Sequence, residues 1–482
     1  MKITSVPQAA KTDAVVILAT KKTDWKKLKV IHRNDINIIT SNLKNDIKNF
    51  ILQGGKVPVV IAIAEDKKEI NKTNEAIRKA GNAVCGIANR YKIRTLTVTN
   101  ESGIAGAHFP FTEGLAMSNY QFIKYRKDEK KTANTLREIK LLTKDSSKTE
   151  VTKLQTIIEA IYMVRDLVNE PVNHLNATQL AEAIKAAGVT AGYTTTIFNK
   201  KKIEELKMGG LLSVNQGSID PPTFSIMEYN PANAVNKQPI VLVGKGVVYD
   251  TGGLSLKPTA NSMDYMKCDM GGAATITGAL YIAAKTGLPL HIIGLVPSTD
   301  NRLNGNAFAP GDIIDMYDGS TVEMLNSDAE GRMILADALA FAKQYKPELV
   351  IDVATLTGAA HRALGDFAIA YMGTADAQKK NQLEESGHEV YERLVGFPLW
   401  DEYGDLLKSD IADMKNVGGA LAGHITAGKF LEKFTDYPWL HLDIAGIAFF
   451  QTNQGYKGKH ASAFGVRLLF RFLEKLATTN NG

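Results

Sequence analysis

The sequence contains little cysteine and no long hydrophobic run, and each shortage excludes a class of protein. Only two of its 482 residues are cysteine, Cys85 and Cys268, which argues against a disulfide-stabilised secreted fold and indicates a reducing compartment. No stretch approaches the roughly 18 consecutive apolar residues of a membrane span. The first apolar run, 14–19, follows Lys11 and Asp13 and is typical of a strand. We therefore expect a cytoplasmic protein with no signal peptide and no membrane segment.

Several common catalytic patterns are also missing. The nine histidines include no pair four residues apart, so a zincin-type metal helix is excluded. The Gly-Lys-Gly run at 244–246 lacks the spacing of a phosphate-binding Walker loop, and 253–257 matches neither a nucleophile elbow nor a Ser-x-x-Lys site. Ser255 stays an alternative nucleophile. We assign no catalytic role to His424, His441 or His460.

Positive charge is concentrated in one segment. The net charge is +6, and residues 124–148 contain nine Lys or Arg against four acidic residues. Such a segment can form a nucleic-acid or anionic-surface patch. Acidic residues are interleaved with the basic ones and no set of stacking aromatics accompanies them, so a solvated helix face and loop between domains is favoured.

The length and the order of the apolar patterns predict an α/β protein of two domains. A chain of 52.5 kDa exceeds one ordinary core. The predicted organisation is a smaller N-terminal α/β domain at 1–150, a linker helix at 151–170 and a C-terminal catalytic domain at 171–482. In the first domain, short apolar runs that include 36–40 (INIIT) alternate with helix-like polar stretches. In the last, alternating helix and strand patterns predict a mixed, largely parallel sheet flanked by helices.

The run Asn-Ser-Asp-Ala-Glu-Gly-Arg at 326–332 is the most informative part of the chain. It follows a strand-like run, 321–325, and precedes the helix pattern 333–343, so Asp328, Glu330 and Arg332 lie at a strand-to-helix junction. Ligands of open α/β sheets bind at such strand ends. Taken alone, acidic residues here also fit ordinary capping of a helix N-terminus.

Two further clusters strengthen the functional interpretation. Residues 243–257 (VGKGVVYDTGGLSLK) follow an apolar strand and contain Lys245, Asp250 and Lys257, and residues 266–272 (MKCDMGG) contain Asp269. Each residue alone is most simply a surface charge or a helix cap. Four carboxylates in one crevice would be costly without cations, and two divalent ions of Zn, Mn, Mg or Co would neutralise them. Such an ion pair can activate a water molecule, with aminopeptidases among the established examples.

These motifs resemble the leucyl aminopeptidases of the dimetal M17 family, also called cytosol aminopeptidases. NSDAEGR is similar to the family signature, with Ser327 where threonine is commoner. The other sequence blocks of the family are similar to VGKGVVYDTGGLSLK, MKCDMGGAA and DVATLTGA in this chain. Near the C-terminus, 439–446 (WLHLDIAG) and 465–473 (GVRLLFRFL) also resemble the family. Several linked blocks in order make the resemblance specific. Residues 1–112 carry little of it.

The resemblance implies a role for individual residues. The more tightly bound metal ion would be held by Lys245, Asp250, Asp269 and Glu330. The more exchangeable ion would be held by Asp250, Asp328 and Glu330. Lys245 would ligate as a neutral amine, so we expect burial and the cation to lower its pKa. Lys257 and Arg332 would be the catalytic residues, with Lys257 at the scissile carbonyl and Arg332 holding a bicarbonate that acts as general base. The implied substrate-binding residues are Met266, Asn326, Thr355, Leu356 and Gly358.

The function implied by the resemblance is a metallo-exopeptidase of the EC 3.4.11 class. It would remove leucine and similar N-terminal residues from short peptides with a free N-terminus, with two Mn²⁺ or Zn²⁺ ions per subunit, or Mg²⁺ or Co²⁺. The resemblance also implies a homohexamer. The alternative is a nucleic-acid-binding regulator on a peptidase scaffold, which the basic segment 124–148 would serve.

Overall fold

The computed structural model describes residues 1–8, 11–143 and 148–479. Within them the chain divides into two compact units. Unit 1 contains Met1–Tyr162 together with Thr452–Lys459, and unit 2 contains the remaining residues from Met163 onward. The predicted domain limits at 150 and 170 stay predictions. No helix in the described ranges is both long enough and apolar enough to cross a bilayer.

Unit 1 is an α/β unit around one six-stranded sheet. Its strands are β1 (Lys2–Val6), β2 (Ala14–Ala19), β3 (Asn49–Leu52), β4 (Val59–Ile63), β5 (Thr95–Asn100) and β6 (Glu138–Leu142). Its helices are α1 (Arg33–Lys44), α2 (Ile70–Arg90), α3 (His108–Ser118), α4 (Glu129–Thr132) and α5 (Lys148–Asn169), the last of which extends into unit 2.

The sheet of unit 1 has the order β1-β6-β5-β2-β4-β3. All neighbouring pairs are parallel except β3 with β4. The grouping of 36–40 (INIIT) with the strand-like apolar runs is wrong, because these residues lie inside α1. Ile39 of that helix is fully buried, while Ile38 is exposed. A five-residue apolar run cannot distinguish a buried helix face from a strand.

Unit 2 contains the larger set of elements. Its strands are β7 (Thr194–Phe198), β8 (Thr223–Tyr229), β9 (Ile240–Gly244), β10 (Gly246–Asp250), β11 (Ile292–Asn301), β12 (Asp312–Asp315), β13 (Thr321–Met324), β14 (Leu349–Ala354), β15 (Ile369–Gly373), β16 (Leu394–Gly396), β17 (Met414–Lys415), β18 (Trp439–Asp443), β19 (Phe449–Phe450) and β20 (His460–Ala461). Its helices are α6 (Ala177–Ala191), α7 (Lys200–Glu205), α8 (Gly209–Asn215), α9 (Gly271–Lys285), α10 (Glu330–Ala342), α11 (Gly358–Leu364), α12 (Ala377–Val390), α13 (Asp401–Asp405), α14 (Gly423–Glu432) and α15 (Val466–Thr479).

The main sheet of unit 2 is mixed and largely parallel, as predicted. Its order is β16-β15-β18-β14-β9-β11-β8-β7, and β10 also pairs with β11. Neighbouring strands are parallel except that β15 is antiparallel to β18, and β8 is antiparallel to both β11 and β7. Strands β9 and β14 are buried along their whole length. Continuous burial of this kind is typical of strands that are covered on both faces.

The strand that precedes the 326–332 motif does not belong to the main sheet. Strand β13 pairs with β12 and β17 in a separate three-stranded sheet. The expectation that this motif follows a strand of the main open sheet is therefore wrong, although a strand-to-helix junction is present. A four-residue strand carries no information about its pairing partner, because pairing is set by long-range packing.

Candidate metal centre and catalytic site

Lys245 lies at the end of β9 in a space that two glycines provide. A Cβ on Gly244 would approach Ala273 of α9 to 2.7 Å, and a Cβ on Gly331 of α10 would lie 2.6 Å from the Lys245 side chain. The lysine is only 2% exposed. Small residues at both contacts therefore allow a buried ammonium group to reach the start of α10.

The Lys245 ammonium bridges two predicted metal ligands. Its Nζ lies 2.8 Å from Asp269 Oδ2 and 2.8 Å from Glu330 Oε1, and it donates to the Thr355 carbonyl oxygen at 3.0 Å. The Thr355 hydroxyl in turn contacts Asp269 Oδ1 at 2.8 Å. Segments distant in sequence thus converge on one buried point.

Lys257 makes the second bridge. Its Nζ lies 2.8 Å from Asp250 Oδ2 and also contacts Asp328 Oδ1. Oxygen atoms of Asp250, Asp328 and Glu330 lie within 4.8 Å of one another. The structure therefore brings six residues together in one cluster, which we call the carboxylate cluster: Lys245, Asp250, Lys257, Asp269, Asp328 and Glu330.

The loop between Asp250 and Lys257 has a backbone that only glycine adopts readily. Gly252 and Gly253 have φ angles of +84° and +60°. A Cβ on Gly252 would lie 2.9 Å from Asp328 Oδ1, and one on Gly253 would lie 2.9 Å from the Ser327 hydroxyl. The two glycines therefore let this loop approach the 326–332 motif closely.

Burial and mutual repulsion control the charges of the carboxylate cluster. Burial raises the pKa of Asp250 and Asp269, and it raises the pKa of Asp328 to about 7. Burial would do the same to Glu330, but Lys245 and Lys257 hold its pKa below the usual value. The carboxylates outnumber the ammonium groups, which leaves room for added cationic charge.

The carboxylates beside Lys245 oppose the expected lowering of its pKa. Burial lowers it, but the adjacent Asp269 and Glu330 carboxylates outweigh burial, so the net shift is upward. Lys245 is thus an ammonium group among these carboxylates, and only an added cation could favour its neutral form.

Arg332 is a buried cation with an incomplete set of partners. Its exposed fraction is 7%, and its Nη1 donates to the Asn416 carbonyl oxygen at 2.6 Å. Its Nε has no hydrogen-bond partner, and no carboxylate in the described ranges forms an ion pair with it. Burial lowers its pKa to about 10. A guanidinium group in this position is suited to hold an anion.

The five predicted substrate-binding residues lie on segments that adjoin the cluster. Met266 precedes Asp269, whose amide donates to the Met266 carbonyl oxygen at 3.2 Å. The Asn326 side chain accepts the Asp328 amide at 2.8 Å. Thr355 and Leu356 follow β14, and the Leu356 amide donates to Asp443 Oδ1 at 3.1 Å. Gly358 begins α11. Their substrate-binding role stays a prediction.

Two buried asparagines near the site were not predicted. Asn301 Nδ2 donates to Asp250 Oδ1 at 2.9 Å and to the Ser327 carbonyl oxygen at 2.9 Å. Asn416 Oδ1 accepts the Leu325 amide at 2.8 Å, and its Nδ2 donates to the Asn326 carbonyl oxygen at 2.8 Å. Both side chains position the motif loops. Neither has a spacing signal in the sequence, because each acts across a long separation in the chain.

Of the other residues considered in the sequence, His441 and Ser255 have hydrogen-bond partners, whereas neither ring nitrogen of the buried His424 has one among the described residues. His441 Nδ1 lies 2.6 Å from Asp352 Oδ1 inside the sheet. Ser255 accepts the Ser327 amide at 3.2 Å through its hydroxyl. In the basic segment, residues 144–147 lie outside the described ranges, and Arg126 forms a bidentate pair with Asp128 at 2.8 and 2.9 Å.

Comparisons with known proteins point to one family. The model of the cytosol aminopeptidase family, catalytic domain, matches residues 162–470. A probable cytosol aminopeptidase of Chlorobaculum parvum is 54% identical over 64% of this chain and 61% of its own length. Those of Chlorobium limicola and Protochlamydia amoebophila are 41% and 38% identical, and the alignments cover 83% and 90% of this chain and 83% and 88% of the relatives.

A solved structure is similar over nearly the whole chain. The bottromycin maturation enzyme BotP in complex with Mn superposes with a TM-score of 0.85 and 29% identity, covering 97% of this chain and 100% of the other. The similarity therefore includes both compact units and is not limited to the region of the family model.

Proposed function

Since the chain belongs to the cytosol aminopeptidase family, we propose that it is a metal-dependent aminopeptidase. Its substrates would be short peptides with a free N-terminus, from which it removes leucine and similar residues. The observation that carries the proposal is the carboxylate cluster, in which four buried or half-buried carboxylates surround two lysines. This cluster lies entirely within the residues that the family model matches.

The donor set fits divalent cations. Three oxygens of the cluster are buried, and the lysine ammonium groups are their only donors among the described residues: Asp269 Oδ2, Asp328 Oδ1 and Glu330 Oε1. Hard oxygen ligands of this kind suit Mn²⁺, Zn²⁺, Mg²⁺ and Co²⁺, and the similar BotP structure is a complex with Mn. Lys245, Asp250, Asp269 and Glu330 would hold one ion, and Asp250, Asp328 and Glu330 the other. Bound ions would supply the positive charge that polarises a carbonyl group and acidifies water.

Lys257 is placed to stabilise negative charge that develops on substrate. Its side chain is 14% exposed, and Asp250 and Asp328 hold its ammonium group in position. The same carboxylates, against the effect of burial, keep the pKa of Lys257 above its usual value. A protonated donor that is fixed before reaction can donate to the carbonyl oxygen of the scissile peptide as it becomes an oxyanion.

Arg332 would bind the catalytic anion, for which we propose bicarbonate. Its free Nε and its low exposure make it a donor with unused capacity. Bicarbonate offers two oxygens to a planar guanidinium group, and it could accept the proton that a protein carboxylate would otherwise take. Met266, Asn326, Thr355, Leu356 and Gly358 would border the pocket for the N-terminal side chain. We also propose cytoplasmic location and assembly as a homohexamer, which family membership supports.

The test is an Asp269→Ala variant with metal analysis and rates on leucinamide and Leu-containing dipeptides. We expect loss of metal and loss of leucine release, and loss of wild-type activity on chelation, with recovery on adding Mn²⁺ or Zn²⁺. Asp264→Ala is the matched control, because this exposed aspartate lies in the 3-10 helix Met263–Cys268, which ends directly before Asp269. Two metals per chain and an unchanged rate in Asp269→Ala would refute the site assignment, and equal turnover of N-acetylated substrate would refute the aminopeptidase mechanism.

A further inference from the structure

A cleft of about 790 Å³ lies in unit 1, at the carboxyl ends of three parallel strands. It is lined by the loops that follow β2, β4 and β5, at residues 20–23, 63–67 and 101–104. Its volume lies within the range of small-molecule pockets. Because all of its lining residues belong to unit 1, it is a separate site from the carboxylate cluster.

The position of the cleft in the sheet is that of a ligand site. Strand β2 lies between β4 and β5 and is parallel to both. The chain passes from β2 to β4 on one side and then crosses to β5 on the other. Open α/β sheets bind their ligands in the crevice at such a reversal, outside the carboxyl ends of the strands.

Two lysines of the cleft lining form ion pairs with neighbouring carboxylates. Lys21 pairs with Asp46 at 3.0 Å and Lys67 with Glu65 at 2.7 Å, while Lys48 contacts both acids, with Asp46 at 3.4 Å. Three ammonium groups thus share two carboxylates. The lining of the cleft holds lysines and acidic residues in equal number.

Lys22 is a further lysine of the cleft lining. It is exposed, and no acidic residue in the described ranges forms an ion pair with it. The lining also contains Asp66 and Glu101. Carboxylates at strand ends of nucleotide-binding sheets accept hydrogen bonds from sugar hydroxyls, so acidic and basic groups in one cleft fit a ligand that contains both a sugar and an anionic group.

The loop after β5 exposes its backbone to the cleft. Gly103 has a φ angle of +75°, and no heavy atom lies within 4 Å of the place where a Cβ would stand. The Ser102 hydroxyl fixes the loop by donating to Asn100 Oδ1 at 2.6 Å and accepting the Ile104 amide at 3.1 Å. A glycine in this position permits close approach of a ligand to the main chain. The apolar residues of the lining are the half-buried Ile104 and the nearly buried Ile63 and Ala64.

From these features we propose that the cleft of unit 1 binds a phosphorylated small molecule of mononucleotide size. The phosphate lies between the Lys22 ammonium group and the backbone of Gly103, and the sugar and base lie along Ile63 and Ala64. This site is independent of the peptidase function proposed above.

The test is calorimetry of the full-length protein with AMP, ribose 5-phosphate and adenosine. We expect saturable binding of AMP, weaker binding of ribose 5-phosphate, and adenosine at least about tenfold weaker than AMP, because the phosphate supplies charge-assisted hydrogen bonds. Absence of AMP binding at concentrations of about 10 mM, or adenosine binding as tight as AMP, would overturn the proposal.

Two further measurements locate the ligand. Lys22→Glu should weaken AMP binding by at least about tenfold, whereas Lys26→Glu should leave it within about twofold, because Lys26 is exposed nearby but lies outside the cleft. Hydrogen exchange should show AMP-dependent protection at residues 20–23, 63–67 and 101–104. Equal effects of the two substitutions, or protection confined to unit 2, would contradict the assignment.

Discussion

Lys245 shows how strongly one buried charge depends on its surroundings. Asp269 and Glu330 each lie 2.8 Å from its ammonium group, and they reverse the effect that burial has on its pKa. A Cβ at Gly331 would lie 2.6 Å from the Lys245 Nζ, so a larger residue there would force the lysine side chain to shift. The glycine of the 326–332 motif therefore contributes to the cluster by leaving room for this side chain.

The Arg332 guanidinium group, whose Nε has no hydrogen-bond partner among the described residues, leads to a prediction at this scale. In Arg332→Lys, a single ammonium group cannot both reach the Asn416 carbonyl oxygen and hold a planar anion. We expect kcat/KM on leucinamide to fall by about 10²-fold, and stimulation by added bicarbonate to disappear. Arg362→Lys on α11 is the control, because Arg362 is exposed. A variant that keeps the wild-type response to bicarbonate would show that Arg332 does not hold this anion.

At the scale of elements, glycines set how closely two helices of unit 1 approach. A Cβ on Gly81 of α2 would lie 2.3 Å from the Phe111 carbonyl oxygen of α3, whereas one on Gly86 of the same helix has no atom within 4 Å. Packed backbone cannot move without separating the helices. Close packing of α2 against α3 is therefore a property of one face of α2.

These two glycines allow a matched pair of substitutions. We expect Gly81→Ala to lower the free energy of unfolding by about 1–3 kcal/mol through overpacking. Gly86→Ala should raise it by about 0.5–1 kcal/mol, because alanine favours the helix and meets no neighbour. Urea unfolding of both variants gives the comparison. Equal effects of the two substitutions would mean that helix propensity, and not packing, decides the outcome.

A buried carboxyl group connects α10 to α8 and makes stability depend on pH. Asp337 Oδ2 accepts the Leu211 amide at 2.9 Å, and Oδ1 accepts the Tyr317 amide at 3.0 Å. Burial raises the pKa of Asp337 to about 7. The folded state therefore keeps a proton that the unfolded chain releases near pH ~4.

The sign of this pH dependence follows from proton binding. Between about pH 4 and pH 7 the folded state binds more protons than the unfolded state, so the free energy of unfolding falls as pH rises, by up to about 4 kcal/mol from this group. Asp337→Asn has no proton to lose, so its stability relative to wild type should increase from about pH 5 to pH 8. The exposed Asp315→Asn on β12 is the control, because Asp315 is not among the groups that shift the pKa of Asp337. A constant difference between Asp337→Asn and wild type would refute the shift.

At the scale of the whole molecule, the proposed metal ions link activity to stability. Ions that bind only the folded protein stabilise it by mass action. We expect Mn²⁺ at about 100 times its Kd to raise the free energy of unfolding by about 3 kcal/mol, with a corresponding rise in Tm. Chelation should reverse the rise without unfolding the protein, because Lys245 and Lys257 still neutralise part of the cluster.

The control for the metal effect is Asp269→Ala, in which Mn²⁺ should produce a smaller rise in Tm, since one proposed ligand is lost. The same shift in both proteins would place the stabilising ions elsewhere.

The residue types of the site could be read from the sequence. The charged residues of the site lie in short, glycine-containing motifs: Lys245, Asp250, Lys257, Asp269, Asp328, Glu330 and Arg332. Because grouped carboxylates need cations to balance their charge, the motifs together indicate one metal site. The mixed, largely parallel sheet of unit 2 was likewise predictable, because long buried strands and amphipathic helices leave clear apolar patterns. Local propensity and residue chemistry act over a few positions, and the sequence displays both directly.

The tertiary structure alone decided which residues meet. Asn301 hydrogen-bonds to Asp250, and the Thr355 hydroxyl hydrogen-bonds to Asp269. Residues 36–40 form part of a helix, and β13 belongs to a separate sheet. The tertiary structure also gave Lys245 two carboxylate partners that raise its pKa against the effect of burial. Each of these outcomes depends on contacts between distant segments, whose energies come from packing and burial in the folded chain and leave no local pattern in the sequence.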